Sequence, residues 1–397
     1  MNAYIEKSLA KGIIDAPPSK SYAHRLLICG FLADNSIIHN ISFSNDITAT
    51  MNSLKSLGAK YELDGTTVKI NRTNLFREEF DAQESGSTLR FIIPLILYAK
   101  GEATIKGSKK LFSRGLGIYE EIFRKQNIIY KLSEDSIYIK GRLLPGRYEI
   151  PGNISSQFIS GLLFVLPLLD GDSEIIITNE IESSAYIDMT IESMRLFGVS
   201  VSRKDNRIKI SGHQKYISNE VTNEGDYSNS SFFEMLNYLG GKVEIKGLNP
   251  NSLQGDKAYL EYFPLLKENH PIIDIKNTID LGPILFAFAS LFNGAKFINI
   301  SRLRIKESDR VNDTLSILSL FGVKYELKDN ELEIFKSELS MPNVAINTYN
   351  DHRLVMMTAI LLTKFSGKIN NIEAVNKSYP DFFSKLSSLG IGVKYED

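Results

Sequence analysis

The stretch Met51-Asn-Ser-Leu-Lys-Ser-Leu-Gly58, followed by Lys60-Tyr-Glu-Leu63, Asp64-Gly65 and Thr67-Val-Lys-Ile70, decides the fold class. Its first part spaces apolar residues as a helix does, and a glycine after the last apolar residue is typical of a helix end. The two short runs that follow are rich in strand-forming residues and are separated by a polar turn. The stretch therefore predicts one helix followed by two strands.

This order of helix, strand, turn and strand recurs along the chain. Further copies, one of them a variant, lie at 122–140, 193–210, 233–246, 315–335 and 383–396. Self-similarity at roughly sixty to eighty residues indicates a repeated α/β unit. The segment 257–274 does not follow the pattern, so the repeat does not locate its helix.

A second kind of helix opens with small or charged polar residues and then becomes strongly apolar. Six such openings are Ser19–Ser21, Glu84–Thr88, Ser155–Gln157, Asp226–Ser231, Asp280–Pro283 and Asn350–Arg353. Any one of them is also what a capped, buried helix looks like. Six in a repeat protein predict helices whose N-termini point one way. Each N-terminus carries the equivalent of about half a positive charge, so two domains facing each other across these ends would enclose an anion.

The densest cluster of charge is Arg302-Leu-Arg-Ile-Lys-Glu-Ser-Asp-Arg310, which directly precedes an apolar run with helical spacing. Ser308 is predicted to be the N-cap of that helix. Lys306 and Arg310 would then stand at a helix N-terminus, where free N–H groups favour an anion. The alternative interpretation is a solvated run of charges.

Composition narrows the classes of function. A chain of 397 residues is too long for one core, so two domains are expected. The formal net charge of −1 gives no overall basic surface for nucleic acid. The single cysteine, Cys29, excludes a disulfide framework or a cysteine-based zinc cluster and is expected to be a packed thiol. We expect a cytoplasmic protein with no membrane contact, because neither a membrane-spanning run nor a signal-peptide pattern is visible.

Seven motifs occur together and in order over nearly the whole chain. They are Pro18-Ser-Lys-Ser-Tyr-Ala-His-Arg25, Ser85-Gly-Ser-Thr-Leu-Arg90, Ser155-Ser-Gln-Phe158, Gln254-Gly-Asp256, Arg304-Ile-Lys-Glu-Ser-Asp-Arg310, Tyr349-Asn-Asp-His-Arg353 and Lys377-Ser-Tyr-Pro-Asp381. This ordered set closely resembles the family of 5-enolpyruvylshikimate-3-phosphate synthases, the 3-phosphoshikimate 1-carboxyvinyltransferases. Each motif is weak alone, but the ordered set is specific.

The resemblance implies an α/β fold of two similar domains. Each would contain three βαβαββ repeats with parallel helices, the inverse α/β barrel-like architecture of enolpyruvyl transferases. The implied domains are 19–224, and 1–18 together with 225–397. Closure of the two domains around substrate would exclude water from a reactive intermediate.

The implied reaction joins two phosphorylated acids. Phosphoenolpyruvate transfers its enolpyruvyl group to the 5-hydroxyl of shikimate 3-phosphate, and phosphate leaves. Each phosphate carries about −1.5 to −2 charges near neutral pH, so the site needs many cations, and arginine suits both carboxylate and phosphate. The resemblance implies these two small molecules as the only partners, a monomer, and no cofactor or metal. It also implies competition between glyphosate and phosphoenolpyruvate.

Candidate site residues follow from the resemblance, motif by motif. Asp280 would accept the 5-hydroxyl proton, Glu307 would protonate the methylene carbon of phosphoenolpyruvate, and Lys20 would contact both substrates. The implied contacts to shikimate 3-phosphate are Lys20, Ser21, Arg25, Ser155, Ser156, Gln157, Ser183, Tyr186, Asp280, Arg302 and Lys306. Those to phosphoenolpyruvate are Lys20, Gly86, Arg114, Gln157, Glu307, Arg310, Asp351, His352, Arg353 and Lys377.

Structural interpretations of several of these residues stay open. Ser183 and Tyr186 also fit ordinary helix capping, Arg114 a surface charge, and His352 an orienting role beside Arg353. The remaining histidines, His24, His39, His213 and His270, are interpreted as structural.

Two positions depart from the family, which commonly has asparagine where Glu84 and Arg302 stand. An alternative is UDP-N-acetylglucosamine enolpyruvyl transferase, but its usual cysteine has no counterpart before Arg114. A noncatalytic phosphate-binding or RNA-end-processing relative is a third possibility. The presence of both Asp280 and Glu307 argues against it.

Overall fold

A computed structural model describes residues Met1 to Glu396, and the chain divides into two compact units. One unit is Pro18–Glu224, and the other joins Met1–Pro17 to the chain from Gly225 onward. Each unit has its own apolar core, assembled from residues within that unit.

The chain begins with β1 (Asn2–Ile5) and β2 (Lys11–Asp15), which belong to the unit completed after Gly225. The Pro18–Glu224 unit then contains seven α-helices: α1 (Lys20–Ala33), α2 (Asn45–Ser56), α3 (Gly86–Ala99), α4 (Lys109–Ser113), α5 (Gly117–Lys125), α6 (Ser156–Val165) and α7 (Ser184–Leu196). Its strands are β3 (Ser36–His39), β4 (Ala59–Asp64), β5 (Thr67–Arg72), β6 (Glu79–Asp81), β7 (Glu102–Lys106), β8 (Ile129–Leu132), β9 (Ser136–Lys140), β10 (Arg147–Pro151), β11 (Ser173–Thr178), β12 (Ser202–Lys204), β13 (Arg207–Ile210) and β14 (Glu220–Thr222).

Three four-stranded sheets of this unit share one topology: β14-β3-β5-β4, β6-β7-β9-β8 and β10-β11-β13-β12. In each, the first pair is parallel and the other two pairs are antiparallel. The antiparallel hairpin β4–β5 is the one expected from Asp64-Gly65. Gly65 has a φ of +55°, which suits a tight two-residue turn. The predicted βαβαββ repeat is therefore present three times in this unit.

The second unit continues with α8 (Tyr227–Tyr238), α9 (Tyr259–Glu268), α10 (Gly282–Leu291), α11 (Asn312–Leu320), α12 (His352–Phe365) and α13 (Phe382–Ser388). Its later strands are β15 (Lys242–Lys246), β16 (Ile272–Asp274), β17 (Ala295–Ile298), β18 (Tyr325–Lys328), β19 (Glu331–Ile334), β20 (Gly367–Asn370) and β21 (Val393–Glu396). Short 3₁₀-helices lie at Leu166–Leu168 in the first unit and at Gly255–Ala258, Ile279–Leu281, Ser301–Ile305 and Ile372–Lys377 in the second.

The repeat is complete in one sheet of this unit, β16-β17-β19-β18. In a second sheet, β20-β1-β21, the N-terminal strand β1 pairs antiparallel with both β20 and β21, so no hairpin forms between strands adjacent in sequence. Ile346 adds a parallel bridge to Ile369. The third is only the parallel pair β2–β15. The prediction that 233–246 is an equivalent copy is therefore wrong. Its helix α8 leads to a parallel strand rather than to a hairpin, and the unlocated helix of 257–274 is α9.

The helices with polar openings are α1, α3, α6, α8, α10 and α12, and nearly all of their residues are buried. A helix buried on every side must be apolar all round, which explains why their sequences lack a polar face. Side chains of Ser19, Ser85, Ser155, Asp226 and Asp351 cap five of them by accepting from backbone N–H groups. Within residues 1–396, no helix is long and apolar enough to cross a membrane.

Candidate functional site

The start of α1 carries Lys20, Ser21 and Arg25, and Ser21 and Arg25 share a helix face because they are four residues apart. Lys20 Nζ donates to Asp46 Oδ2 at 2.7 Å, and both side chains are mostly covered. The Asp46 carboxylate of α2 therefore holds Lys20, which is in the first turn of α1.

Arg25 is buried and its guanidinium lies within a set of hydrogen-bond acceptors. It donates to the Ser21 carbonyl at 2.6 Å, to Thr190 Oγ1 at 2.8 Å and to the Tyr186 carbonyl at 3.0 Å. Its guanidinium carbon also lies 5.7 Å from the centre of the Tyr186 ring. Burial lowers the pKa of Arg25 to about 10. The structure thus joins Ser21 and Arg25 of α1 to Tyr186, which is distant in sequence.

Gly86 opens α3 beside two arginines. A Cβ placed on Gly86 would lie 2.8 Å from Arg90 Nη1 and 3.1 Å from Arg114 Nη1. Arg90 Nη1 donates to Gln157 Oε1 at 3.0 Å, and Gln157 Nε2 donates to Ser87 Oγ at 3.0 Å. Arg90 therefore fixes which end of the Gln157 amide faces Ser87.

Arg90 ends the motif Ser85-Gly-Ser-Thr-Leu-Arg90, but the sequence predicted no role for it in the site. It is 3% exposed, and its guanidinium carbon lies 5.0 Å from the centre of the Phe158 ring. Its position within an apolar run, four residues after Gly86 on the same helix face, is the signal that could have identified it.

The other predicted contacts of this unit stand at the openings of α6 and α7. Ser155 caps α6 by accepting from the Gln157 N–H at 3.3 Å, and Ser156 is the first residue of that helix. Ser183 precedes α7 with a φ of +57° and is 1% exposed. A left-handed backbone at a buried serine is uncommon and is found disproportionately at functional sites.

In the unit that contains Gly225 onward, the Asp280 carboxylate forms ion pairs with three cationic side chains. Arg310 Nη1 lies 2.9 Å from Asp280 Oδ1, Lys306 Nζ lies 3.3 Å from the same oxygen, and Arg353 Nη2 lies 3.4 Å from Asp280 Oδ2. The Asp280 side chain is 19% exposed, so one part of it stays accessible. The predicted base and three predicted cations of this unit are therefore brought together.

Arg310 links the other carboxylates of the cluster. Its Nε donates to Asp351 Oδ2 at 2.7 Å and its Nη2 donates to Glu307 Oε2 at 2.7 Å. Burial alone would lower the pKa of Arg310, but Asp351, Glu307 and Asp280 outweigh burial and raise it. Burial pushes the pKa of Asp351 up, whereas Arg310 and His352 pull it down, and the net direction is down. Arg310 is thus engaged with protein carboxylates.

One expectation for the 302–310 stretch is wrong. Ser308 is not the N-cap of α11: the helix begins at Asn312, and Asp309 Oδ1 accepts from the backbone N–H groups of Val311 and Asn312. Ser308 Oγ instead donates to Asp351 Oδ2 at 3.1 Å. The reason is that this tertiary hydrogen bond to Asp351 takes the hydroxyl that would otherwise cap the helix.

The remaining predicted residues surround this cluster. Asp351 is fully buried and caps α12 by accepting from the Arg353 N–H at 2.9 Å, while His352 Nδ1 lies 3.7 Å from Asp351 Oδ1. Lys377 Nζ donates to the Asn350 carbonyl at 2.6 Å. Arg302 is 8% exposed, so it is not part of a solvated charge run.

Asp256 is a second residue that received no role from the sequence. It lies in the 3₁₀-helix Gly255–Ala258 and is 6% exposed. Burial, followed by repulsion from Asp280, raises its pKa to about 7, although Arg353 opposes the shift. Lys306 is shifted in the other direction: burial lowers its pKa to about 8, although Asp280 and Glu307 oppose that shift. Both groups therefore titrate near neutral pH.

These arrangements are suited to anion recognition and proton transfer. Arginines and a lysine supply charge-assisted donors for phosphate and carboxylate. Asp280 is a carboxylate close to groups with shifted pKa values, which is typical of acid–base sites.

Comparison with known proteins gives one consistent family. The model of the EPSP synthase (3-phosphoshikimate 1-carboxyvinyltransferase) family matches residues 6–386. The chain is 39% identical to the 3-phosphoshikimate 1-carboxyvinyltransferase of Clostridium novyi, over 98% of this chain and 97% of that protein. It is 41% identical to that of Clostridium acetobutylicum, over 96% of this chain and 95% of that protein.

Solved structures agree on the fold. EPSP synthase from Acinetobacter baumannii matches with a TM-score of 0.79 and 20% identity over 100% of both chains. The enolpyruvyl transferase NikO from Streptomyces tendae matches with a TM-score of 0.79 and 12% identity, over 99% of this chain and 98% of that one. The predicted α/β enolpyruvyl transferase fold is confirmed. The chain belongs to the EPSP synthase (3-phosphoshikimate 1-carboxyvinyltransferase) family.

Proposed function

We propose that this protein transfers the enolpyruvyl group of phosphoenolpyruvate to the 5-hydroxyl of shikimate 3-phosphate and releases phosphate. Family membership supports the reaction. The observation that carries the catalytic assignment is the Asp280 carboxylate, which lies within 3.4 Å of Lys306, Arg310 and Arg353.

Recognition of shikimate 3-phosphate is assigned first to the Pro18–Glu224 unit. Charged or hydroxyl groups at the starts of α1, α6 and α7 provide donors for its phosphate and hydroxyls, namely Lys20, Ser21, Arg25, Ser155, Ser156, Gln157, Ser183 and Tyr186. Asp280, Arg302 and Lys306 complete this set. Helix N-termini and charge-assisted donors both favour a dianion.

Phosphoenolpyruvate is assigned to a second set of cations and donors. This set comprises Lys20, Gly86, Arg114, Gln157, Glu307, Arg310, Asp351, His352, Arg353 and Lys377. Arg353 is the best-supported contact in this set, because its Nε and Nη1 are buried and have no hydrogen-bond partner among residues 1–396. Arg310 and Asp351 bond to each other, so we assign them to positioning Glu307, Asp280 and Arg353 rather than to direct donor contact.

The proposed chemistry is an addition followed by an elimination. Asp280 takes the proton of the 5-hydroxyl as that oxygen attacks the C2 atom of phosphoenolpyruvate, and Glu307 protonates its C3 methylene. The methyl group then returns a proton to the Glu307 carboxylate, phosphate leaves together with the proton held by Asp280, and the enol ether of the product forms. The charge that Glu307 acquires on donating is matched by Arg310 at 2.7 Å, which favours the donation.

Product identification tests the reaction. Incubation with both substrates should give a product whose phosphorus NMR and mass match shikimate 3-phosphate plus one enolpyruvyl group, together with one inorganic phosphate. UDP-N-acetylglucosamine serves as the competing acceptor, and an enolpyruvyl adduct of that nucleotide sugar would replace the proposal with the alternative enzyme.

We also propose that the enzyme acts as a cytoplasmic monomer and that glyphosate competes with phosphoenolpyruvate. Every group assigned to the reaction belongs to one chain, so a second copy is not required. Light scattering during gel filtration would test the oligomeric state.

A further inference from the structure

A buried row of four hydrogen-bonded side chains links α1, α2 and α3 in the Pro18–Glu224 unit. His24 Nδ1 lies 2.7 Å from Thr50 Oγ1, and Thr50 Oγ1 lies 2.7 Å from Thr88 Oγ1. Thr88 Oγ1 in turn lies 2.8 Å from Oγ of Ser85, the residue that caps α3. All four side chains are at most 2% exposed.

The hydrogens of this row can be counted. Thr88 Oγ1 is placed to donate to Ser85 Oγ, or to the Asp46 carbonyl at 3.3 Å, and that carbonyl can only accept. A hydroxyl has one hydrogen. With that hydrogen of Thr88 directed to Ser85 or to Asp46, Thr88 accepts from Thr50, and Thr50 in turn accepts from His24. His24 therefore carries its hydrogen on Nδ1.

The other nitrogen of His24 supports the same tautomer. Its Nε2 is buried and has no hydrogen-bond partner in the described part of the chain. A buried N–H left unpaired is costly, whereas the row already provides an acceptor for Nδ1–H. Burial, with added repulsion from Lys20 and Arg25, holds the pKa of His24 well below its ordinary value. The imidazole is therefore neutral and has a single N–H to donate.

The row ends at a hydroxyl whose own hydrogen is not used within it. Ser85 Oγ accepts from the Thr88 N–H at 3.2 Å and from Thr88 Oγ1. The next residue is Gly86, beside the guanidinium groups of Arg90 and Arg114. The Ser85 hydroxyl is thus a donor one residue before the glycine that adjoins the two arginines.

We propose that His24, Thr50 and Thr88 are positioning residues that hold the Ser85 hydroxyl as a hydrogen-bond donor to phosphoenolpyruvate at the N-terminus of α3. This inference rests on the proposed function, which places phosphoenolpyruvate beside Gly86. No proton moves along the row. Its effect is to fix the direction of each hydroxyl, and it gives His24 a role beyond the structural one expected from the sequence.

Steady-state kinetics of Thr50→Val test the row without changing the cap of α3. Losing the orientation of a donor to an anion should raise KM for phosphoenolpyruvate about tenfold, while kcat and KM for shikimate 3-phosphate stay near the wild-type values. Thr88→Val should behave alike. Ser193→Ala is the matched control, because Ser193 is buried in the same unit and donates only locally, to the Met189 carbonyl at 2.8 Å.

Two substitutions of His24 distinguish its role as a hydrogen-bond donor from its role in packing. His24→Asn retains an N–H near the place of Nδ1 and should keep KM for phosphoenolpyruvate close to wild type, whereas His24→Leu should raise it as Thr50→Val does. Equal KM values in wild type and Thr50→Val, or equal effects of His24→Asn and His24→Leu, would overturn the proposal.

Nitrogen-15 NMR of the histidine side chains measures the tautomer of His24 directly and needs no assumption about the substrate. The expected spectrum shows His24 with a protonated Nδ1 and a bare Nε2 that does not titrate around the ordinary histidine pKa. An Nε2–H tautomer or a titrating His24 contradicts the row itself. The expected tautomer in a protein that gives no turnover with shikimate 3-phosphate would instead refute the proposed function, and with it the ligand assigned to Ser85.

Discussion

Arg310 Nη1 lies 2.9 Å from Asp280 Oδ1, and the same guanidinium binds Glu307 and Asp351, so one buried arginine connects the two proposed proton-transfer groups. A guanidinium has a rigid planar arrangement of donors. Its contacts fix the separation of these carboxylates more tightly than a flexible cation would.

Replacement of the proposed base tests its role directly. Asp280→Asn keeps the shape of the side chain but removes the proton acceptor, so kcat should fall by about 10²- to 10⁴-fold, while calorimetry still detects shikimate 3-phosphate binding. Asp274→Asn is the control, since Asp274 interacts with Lys276 on the same unit and has no assigned catalytic role. A normal kcat in folded Asp280→Asn would exclude Asp280 as the base.

The buried guanidinium of Arg353 is expected to act mainly in binding. Arg353→Ala should raise KM for phosphoenolpyruvate by about 10- to 100-fold, the usual worth of one charge-assisted hydrogen bond. Arg304→Ala is the matched control, because Arg304 lies in the same unit and pairs only with Asp309, at 3.3 Å, among the described ion pairs. A similar rise in both variants would show that loss of any cation in this unit weakens donor binding.

The space around Gly86 predicts an effect on glyphosate inhibition. A methyl group there would meet Arg90 and Arg114 at 2.8 to 3.2 Å, so both guanidinium groups must move. Gly86→Ala should therefore weaken glyphosate more than phosphoenolpyruvate, because glyphosate is the longer molecule, and leave shikimate 3-phosphate affinity nearly unchanged.

Inhibition kinetics against varied phosphoenolpyruvate measure the effect, with Gly117→Ala as control because a Cβ at Gly117 meets nothing within 4 Å. A wild type that is already insensitive to glyphosate would contradict the prediction. It would direct attention to Glu84, which directly precedes the cap of α3.

Asp256 predicts a pH dependence of stability. Its folded pKa of about 7 lies above the ordinary value of 3.8, so the folded state binds this proton more tightly than the unfolded state does. Stability should therefore fall as pH rises from about 4 to about 7 and stay lowered above that range. Asp256→Asn should remove the loss and stabilise the unit by about 2–4 kcal/mol at pH 8, with little effect near pH 4.

Urea unfolding at the two pH values measures this difference. Asp329→Asn, at an exposed residue between β18 and β19, is the control. Equal pH dependence of the wild type and Asp256→Asn would mean that Asp256 is ionised throughout.

The sequence predicts the parts of this molecule that depend on local pattern. The buried helices α3 and α12 follow from long apolar runs after polar openings, and the hairpin β4–β5 follows from Asp64-Gly65. The ordered motifs likewise predict which residues gather around Asp280.

Features that depend on distant packing were not predictable in this way. Ser308 is a good N-cap by residue type, but a tertiary hydrogen bond to Asp351 draws its hydroxyl away, and Asp309 takes its place. Asp256 acquires its raised pKa from burial and from Asp280, which is distant in sequence. The row from His24 to Ser85 joins three helices and has no signature in any one of them.

Phosphate release from phosphoenolpyruvate, measured with and without shikimate 3-phosphate, tests the central claim most directly. Release should require shikimate 3-phosphate, should not be supported by UDP-N-acetylglucosamine, and should be nearly lost in Asp280→Asn. Release at the same rate without an acceptor, or release supported by UDP-N-acetylglucosamine in place of shikimate 3-phosphate, would contradict it.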